Sequence, residues 1–311
     1  MIKLKYFAFA FWLSACTQFP QKNVQPSVWS LNEVAPGVYV HQGAMAESSA
    51  ANQGDIANIG FIVGKKCVAV IDSGGSFAVG KQLRAAIARV TPLPVCYVVN
   101  THVHPDHIFG NAAFNADNPT FIGHAKLPLA MATRSQNYLN AIKRDLGAAA
   151  EGSVIVPPTQ TLTDSLELDL GERKITLRAW RTAHTDNDIT IFDETSGTLW
   201  LSDLLFISHT PVVDGNLKGW LAAMGELRNI KATTVIPGHG AVSKDWPAAM
   251  NNQQRYLESL LHETRQMLLS RKTIQQAIEN VGVSERGQWQ LFDLFHRRNV
   301  TTAFAQLEWE D

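Results

Sequence analysis

Three of the chain's ten histidines fall within six consecutive positions, in the stretch THVHPDH at residues 101–107. His102, His104, Asp106 and His107 crowd a strand end directly behind the apolar run PVCYVV. Lone pairs gathered so closely repel one another and lose solvent together, so the stretch costs stability unless a cation binds it. Metal coordination is the chemistry these residue types share. Three further residues terminate apolar, strand-like runs: His184 closes ITLRAWRTAH, Asp203 closes TLWLSD, and His239 follows TTVIPG. Ligands of α/β proteins gather at the carboxyl ends of strands, so these positions can converge from far apart in sequence.

In an extended segment His102 and His104 share a face. Pro105 favours an extended His104 and starts a helical turn that carries Asp106 and His107 off on another bearing. One corner therefore serves two metals. A catalytic zinc takes about four nitrogen, sulfur or oxygen ligands with one position left open. His102, His104 and His184 make one set; Asp106, His107 and His239 make another; the two oxygens of Asp203 can bridge them. Water between two ions roughly 3.5–4 Å apart is acidified towards neutrality, while the ions polarise a carbonyl or phosphoryl under attack. The expectation is a dinuclear hydrolase using a metal-bridging hydroxide, with two zinc ions as cofactors and Asp106 and Asp203 as its catalytic carboxylates. Iron or manganese suits the same donors.

Elements must hold these residues in place. GVYVHQG, IANIGFIVGKKCVAVIDSGG and PVCYVVNTH are short β-branched or aromatic runs punctuated by glycine and proline. Between the last two, FAVGKQLRAAIARV has Phe77, Leu83, Ile87 and Val90 at helical spacing. Residues 67–102 thus read as strand–helix–strand, a crossover that requires parallel strands. TFIGH, the helical AKLPLAMATRSQNYLNAIKRDLG, strands around SLELDLGERKITLRAWRTAH and DITIFDETSGTLWLSD, and the strand TTVIPGHG follow. DETSG reads as a hairpin turn. After Pro247 comes a long amphipathic helix, AAMNNQQRYLESLLHETRQMLLSR, and further helical pieces follow. Two mixed sheets packed together with helices outside are expected.

The 311 residues, 45% apolar and 18% charged, suffice for a sizeable core. A net charge of −1 gives no reason to expect a nucleic-acid partner; a small-molecule substrate is expected. Residues 1–16, MIKLKYFAFAFWLSAC, pair two lysines with an apolar stretch from Tyr6 to Leu13, the pattern of a secretory signal. Their end, Leu13-Ser14-Ala15-Cys16, resembles the bacterial lipobox, which implies a lipid anchor at Cys16. Residues 17–28 read as a polar tether, 29–246 as the main domain and 247–311 as a C-terminal helical extension. Export to the periplasm, held at a membrane, follows. Cys67 and Cys96 can lie side by side on neighbouring parallel strands; a disulfide and two buried thiols both remain open.

THVHPDH with downstream His184, Asp203 and PGHG resembles the metallo-β-lactamase superfamily over roughly residues 30–245. The resemblance implies a four-layer αββα sandwich with the site at one edge, and places VIDSGG (Asp72 to Gly75) beside the metals. The chain is also similar to exported zinc metallohydrolases of the quinoprotein relay system group. The stretches that carry this are VAVIDSGG, LPVCYVVNTHVHPDHIFGNAAF, AHTDND, TLWLSDLLF, PVVDGNLKGWL and FHRRNVTTAFAQLEWE. That group accompanies pyrroloquinoline-quinone-dependent dehydrogenases, which implies a quinoprotein dehydrogenase partner and leaves the substrate open. Zinc β-lactamases of the best-known classes carry cysteine or serine where Asp203 stands, so aspartate favours ester, thioester, lactone or phosphodiester cleavage. The alternatives are a mononuclear iron persulfide dioxygenase on His102, His184 and Asp203, a β-lactamase, and a non-catalytic accessory protein.

Several other residues have two readings each. Asp72 is either an outer partner of a ligating histidine or a turn carboxylate, and Asp188 either does the same for His184 or caps a turn. His124 and His209 either face the cleft or are structural, as with His41, His262 and His296. Trp220 either lines the pocket or packs in the core. Arg297, Arg298 and Asn299 either bind an anionic group or close a helix end.

Overall fold

The computed structural model describes residues 29–310 together with Met1. The expected export signal, Cys16 and the tether lie outside the described residues. The first half forms β1 (Asn32–Ala35), β2 (Val38–His41), β3 (Ile59–Val63), β4 (Val68–Ile71), α1 (Phe77–Val90), β5 (Val95–Val99), the single turn α2 (Pro105–Ile108), β6 (Thr120–His124), α3 (Leu127–Leu146) and β7 (Gln160–Leu162). The second half forms β8 (Ser165–Asp169), β9 (Lys174–Ala179), β10 (Ile189–Asp193), β11 (Thr198–Phe206), α4 (Leu217–Leu227), β12 (Thr234–His239), α5 (Asn251–Leu269), α6 (Ile274–Asn280) and α7 (Phe292–Leu307).

Strands β1 to β7 lie in sequence order in one sheet, antiparallel as far as β4 and parallel from β4 to β7. The other sheet runs β12-β11-β10-β9-β8, antiparallel except for the parallel β11–β12 pair. Both sheets are mixed, as the alternation of hairpins and crossovers requires. The β4–α1–β5 crossover is parallel. Ser76 caps α1, its hydroxyl accepting the Val79 N–H at 3.2 Å, a contact that stabilises a helix start by about 1 kcal/mol. The buried stripe of α1 is Val79, Leu83 and Ile87, at strict i, i+4 spacing; Val90, expected inside, is 37% exposed on the last turn.

The period-two alternation of β4 sorts two cores. Ala69 and Ile71 join Val99, Ile122, Leu177, Ile191 and Trp200 between the sheets. Val68 and Val70 face outward onto Val79, Leu83 and Ile87 of α1. On the far side, Leu199, Leu201 and Leu205 of β11 meet Trp220 of α4 and Tyr256, Leu260, Val300 and Phe304 of the C-terminal helices. The layers are helix, sheet, sheet, helix. The C-terminal helices share their core with α4 and β11. Arg173 ties the sheets together: it donates to Asp193 through Nε at 3.0 Å and NH2 at 2.5 Å, and to the carbonyls of Val63 and Pro36 at 2.9 Å. Cys67, immediately before β4, and Cys96, in β5, form a disulfide with Cα atoms 5.8 Å apart.

Candidate metal centre

The end of β5 delivers His102. His104 stays extended (φ −66°, ψ 147°) as the N-cap of α2, with Pro105 in the first turn, so Asp106 and His107 leave on the helical bearing. His184 projects from the loop between β9 and β10. His239 is the last residue of β12. Asp203 differs from expectation: it lies inside β11, which continues to Phe206. Ser202 just before it adopts φ 48°, and the β11–β12 register shifts on both sides of Ser202. Such an irregularity turns a side chain out of the pleat, and here it does the work assigned to a strand end. Gly238 makes room for it, since a Cβ there would lie 1.8 Å from Asp203 Oδ1.

The seven side chains converge in two clusters: His102, His104, His184 and Asp203, and Asp106, His107 and His239. In the first, His104 Nδ1 lies 3.1 Å from His102 Nε2 and 3.0 Å from His184 Nε2. Nitrogens bound tetrahedrally to zinc at about 2.0–2.1 Å would stand roughly 3.3 Å apart. Asp203 sits between the clusters. Its Oδ2 is 3.6 Å from His102 Nε2 and 3.3 Å from His184 Nε2. Its Oδ1 is 3.2 Å from His107 Nε2 and 3.6 Å from His239 Nε2. Asp106 Oδ2 completes the second cluster, 3.3 Å from His239 Nε2 and 3.6 Å from His107 Nε2.

The outer hydrogen bonds fix the tautomers. His184 Nδ1 donates to the Val212 carbonyl at 2.8 Å, and His239 Nδ1 to the Ile56 carbonyl at 2.9 Å. His104 Nε2 donates to Asp214 Oδ2 at 3.0 Å and His107 Nδ1 to Asp72 Oδ2 at 2.8 Å. Thr101 Oγ1 gives its own proton to Asp72 at 2.7 Å, so at 3.0 Å it accepts from His102 Nδ1. With each outer nitrogen carrying the proton, all five inner nitrogens present lone pairs to the clusters.

Buried, partnerless polar atoms are costly, and two lie here: among the described residues, neither His107 Nε2 nor Asp203 Oδ1 makes a hydrogen bond. A cation between them answers that cost, so the donor set fits metal ions. The electrostatics agree. Burial and the neighbouring His107 hold the His102 ring well below the ordinary imidazole range, hence neutral. Burial works against charge on Asp203 too, but the neighbouring His107 and His239 outweigh it and keep it ionised. Conversely, burial is overcome at His107 by Asp203, Asp106 and Asp72, and at His239, raised to about 9, by Asp203 and Asp106. The cluster demands positive charge.

A cleft of about 430 Å³ opens onto the two clusters, lined by His104, Asp106, Arg134, Tyr138, Asp203 and His209 among others. Opposite the opening, Trp220 and Phe206 pack on the His184 ring at 5.2 and 5.7 Å. Trp220 is fully buried and belongs to the core. Asp72 is an outer partner of His107, whereas Asp188 caps a turn by accepting from Thr185 N and Oγ1. His209 lines the cleft, neutral because burial and His239 push its ring down to about 4. His124 lies elsewhere, in a groove with Lys126 and Trp180. His41 pairs with Asp55, His296 with Tyr256 and the Val281 carbonyl, and His262 is exposed.

Thr101, Val212, Asp214, Ile56 and Arg134 escaped the sequence reading. A backbone carbonyl carries no side-chain signal, and Asp214 in an Asp-Gly pair looks like any turn. Helix α7 holds this loop. Asn299 accepts from Val213 N at 2.9 Å and donates to the Pro211 carbonyl at 2.6 Å. Gln306 accepts from Leu217 N and donates to the Gly215 carbonyl. Arg298 donates to Asp214 Oδ1 at 2.6 Å. The C-terminal helix thus fixes the segment that orients His104 and His184.

Residues 52–239, more than half of the chain, match the metallo-beta-lactamase superfamily. A linear primary-alkylsulfatase from Pseudomonas sp. (strain ATCC 19151) is 24% identical over 214 residues, 55% of this chain and 39% of that protein, so the chain spans well under half of that relative. A metallo-beta-lactamase from Pontibacter korlensis aligns with a TM-score of 0.60 at 17% identity, over 74% of this chain and 98% of that one. A stereoselective inverting sec-alkylsulfatase from Pseudomonas sp. aligns with a TM-score of 0.70 at 15% identity, over 90% of this chain and 50% of that one. At such identities the structural likeness shows a shared fold.

Proposed function

Because the chain belongs to the metallo-β-lactamase superfamily, we propose that it is a metal-dependent hydrolase that holds two zinc ions and cleaves an ester-type bond. The bond is an ester, thioester, lactone or phosphodiester of a small molecule, and sulfate esters join the list because two similar proteins are named alkylsulfatases. One observation carries the reading: five imidazole lone pairs and two carboxylates, drawn from both halves of the chain, face one another in two clusters.

His102, His104 and His184 would hold one ion, Asp106, His107 and His239 the other, with Asp203 offering one oxygen to each. Bound there, the ions supply Lewis acidity and water acidic enough to attack near neutral pH. The chain supplies the rest. Asp72, Thr101, Asp214 and the carbonyls of Val212 and Ile56 keep every ligating ring in its metal-binding tautomer. Trp220 and Phe206 exclude water from behind His184. His104 and Asp106, the more exposed donors at 15% and 14%, face the cleft by which substrate enters.

The intact second cluster supports hydrolysis over single-iron oxidation of persulfides. We place the chain with the quinoprotein relay group, exported, anchored through Cys16 and serving a quinoprotein dehydrogenase; the quoted stretches and the leader support this. The decisive experiment measures zinc per chain and turnover on a panel of neutral and anionic esters, thioesters and lactones, with and without chelator. Two zinc ions and chelator-sensitive hydrolysis are expected. One bound iron with oxygen uptake on a persulfide, or no metal and no turnover, overturns the proposal.

A further inference from the structure

The cleft carries more positive charge than its own carboxylate needs. Arg134, on α3, and Arg298, on α7, reach it from opposite ends of the sequence and flank Asp214. Asp214 is already served: Oδ1 accepts from Arg298 NH2 at 2.6 Å and Oδ2 from His104 Nε2 at 3.0 Å. Arg134 NH2 stands 3.9 Å from Oδ2, beyond hydrogen-bond reach. Two guanidiniums therefore oppose one carboxylate, leaving one positive charge in surplus. Asp106 and Asp203 face the two clusters and would be taken up by the ions held there.

A surface ion pair kept for stability would contribute little and would have its partners in contact. Arg134 fits that description poorly: it is half-buried, lines the cleft and stands beyond hydrogen-bond reach of Asp214. Tyr138 stands in the same wall. Burial raises its phenol above the ordinary value, so it stays a neutral donor beside the arginines. Guanidinium forks match planar and tetrahedral oxyanions, and two forks around Asp214 plus a hydroxyl lining the same cleft form a place for one.

We propose that Arg134 and Arg298 form an anion-binding subsite that grips an oxyanion of the substrate, so that the substrate class is anionic esters. The inference deepens the hydrolase reading and rests on it. The oxyanion is either a carboxylate remote from the scissile bond or the sulfate or phosphate of the scissile group itself. Both present the same chemistry to the arginines.

The test uses zinc-loaded wild type, Arg134→Gln, Arg134→Lys, Arg298→Gln and the double glutamine variant, with zinc content measured for each. Four 4-nitrophenyl esters share one leaving group: the neutral acetate, the hemisuccinate, the sulfate and the phosphate. Arg134→Gln is expected to cut the ratio of anionic to neutral kcat/KM by about tenfold to a hundredfold, through KM. Arg134→Lys should recover much of it, and Arg298→Gln should act in the same direction. A response on the hemisuccinate identifies a remote carboxylate; one on the sulfate or phosphate identifies the scissile group. A ratio unchanged in both glutamine variants overturns the proposal. A second arm follows the thermal shift produced by inorganic sulfate. The shift should vanish in the double variant, and its persistence there would put the anion on the metals and overturn the subsite. If no ester of any charge is hydrolysed, the hydrolase reading falls, while the sulfate arm still decides the arginines.

Discussion

Asp72 supports both metal clusters from outside, His107 directly and His102 through Thr101, and Asp72→Asn tests that dependence. Its Oδ1 accepts the Thr101 N–H at 2.8 Å; its Oδ2 accepts from Thr101 Oγ1 at 2.7 Å, His107 Nδ1 at 2.8 Å and Ser202 Oγ at 3.3 Å. The carboxylate is fully buried, and the residue adopts φ 55°. Asparagine tolerates that left-handed conformation, whereas alanine would add backbone strain to the result. Only one asparagine atom can accept. If it keeps the Oδ2 place, its amide faces the Thr101 N–H, leaving donors opposed at a cost of about 1–3 kcal/mol. His107 meanwhile loses a charged acceptor. Removing an outer partner of a ligating histidine weakens metal binding about tenfold to a hundredfold, or about 1.4–2.7 kcal/mol. His107 feels the change directly; His102 feels it only through Thr101. Competition against a chromophoric chelator should therefore show one of two zinc steps weakened by about ten- to a hundredfold and the other by less than about threefold. Melting in excess chelator separates any loss of fold stability. Two steps weakened alike, or neither, would refute the idea that Asp72 sets the His107 tautomer.

Other substitutions probe neighbouring links. Gly238→Ala puts a methyl where Asp203 Oδ1 lies; with circular dichroism unchanged, metal analysis should show at least one ion lost per chain. Asn299→Ala leaves the Val213 N–H and the Pro211 carbonyl unpaired, costing about 1–3 kcal/mol each; chelator competition should show the His104–His184 site weakened and the other spared. Arg173→Ala strands the buried Asp193 carboxylate, and thermal melting should register a loss of about 3–5 kcal/mol, on the order of 10 °C. Glu285, away from the metals, is held below the ordinary carboxylate value: burial would raise it, but hydrogen bonds from Arg255 and Trp289 prevail. A depressed carboxylate contributes stability above its unfolded value that is lost as pH falls through the folded one. The melting difference between wild type and Glu285→Gln should be full near pH 6 and shrink below pH 4.5.

The ligands were legible because metal chemistry restricts residue type and because THVHPDH concentrates four of them. The fold was legible where period and punctuation agreed, as in FAVGKQLRAAIARV, which forms α1 from Phe77 to Val90. What escaped had no signature of type. Asp203 looks like a strand end in sequence because a carboxylate closes the apolar run TLWLSD; the strand in fact continues through Leu204, Leu205 and Phe206, and a left-handed Ser202 does the turning. Val212 and Ile56 act through carbonyls that every residue possesses. Arg134 sits in a helix whose polar face gives no hint that it overlooks a cleft. Arg298 has two readings in sequence, an anion contact or a helix end; the structure places it in the middle of α7, paired with Asp214 and in the cleft wall.

The distribution of ligands has a further physical consequence. His102, His104, Asp106 and His107 follow β5 of the first sheet, whereas His184, Asp203 and His239 come from the second. Each cluster therefore takes donors from both sheets: one joins the pair His102 and His104 to His184 and Asp203, the other joins Asp106 and His107 to His239. A cation in either place is a cross-tie between layers otherwise held by apolar contacts and by hydrogen bonds such as those from Arg173 to the Val63 and Pro36 carbonyls, from Asn58 to the Pro237 and Gly240 carbonyls, and from Ser202 to Asp72. Without cations the arrangement concentrates ionised carboxylates and unpartnered nitrogens at the sandwich edge, where their desolvation opposes folding. With them, binding free energy adds to the stability of the folded state. Ligation and sheet packing are thus coupled, which explains why the outer hydrogen bonds are so completely built. A ring in the wrong tautomer would weaken the site and the junction together.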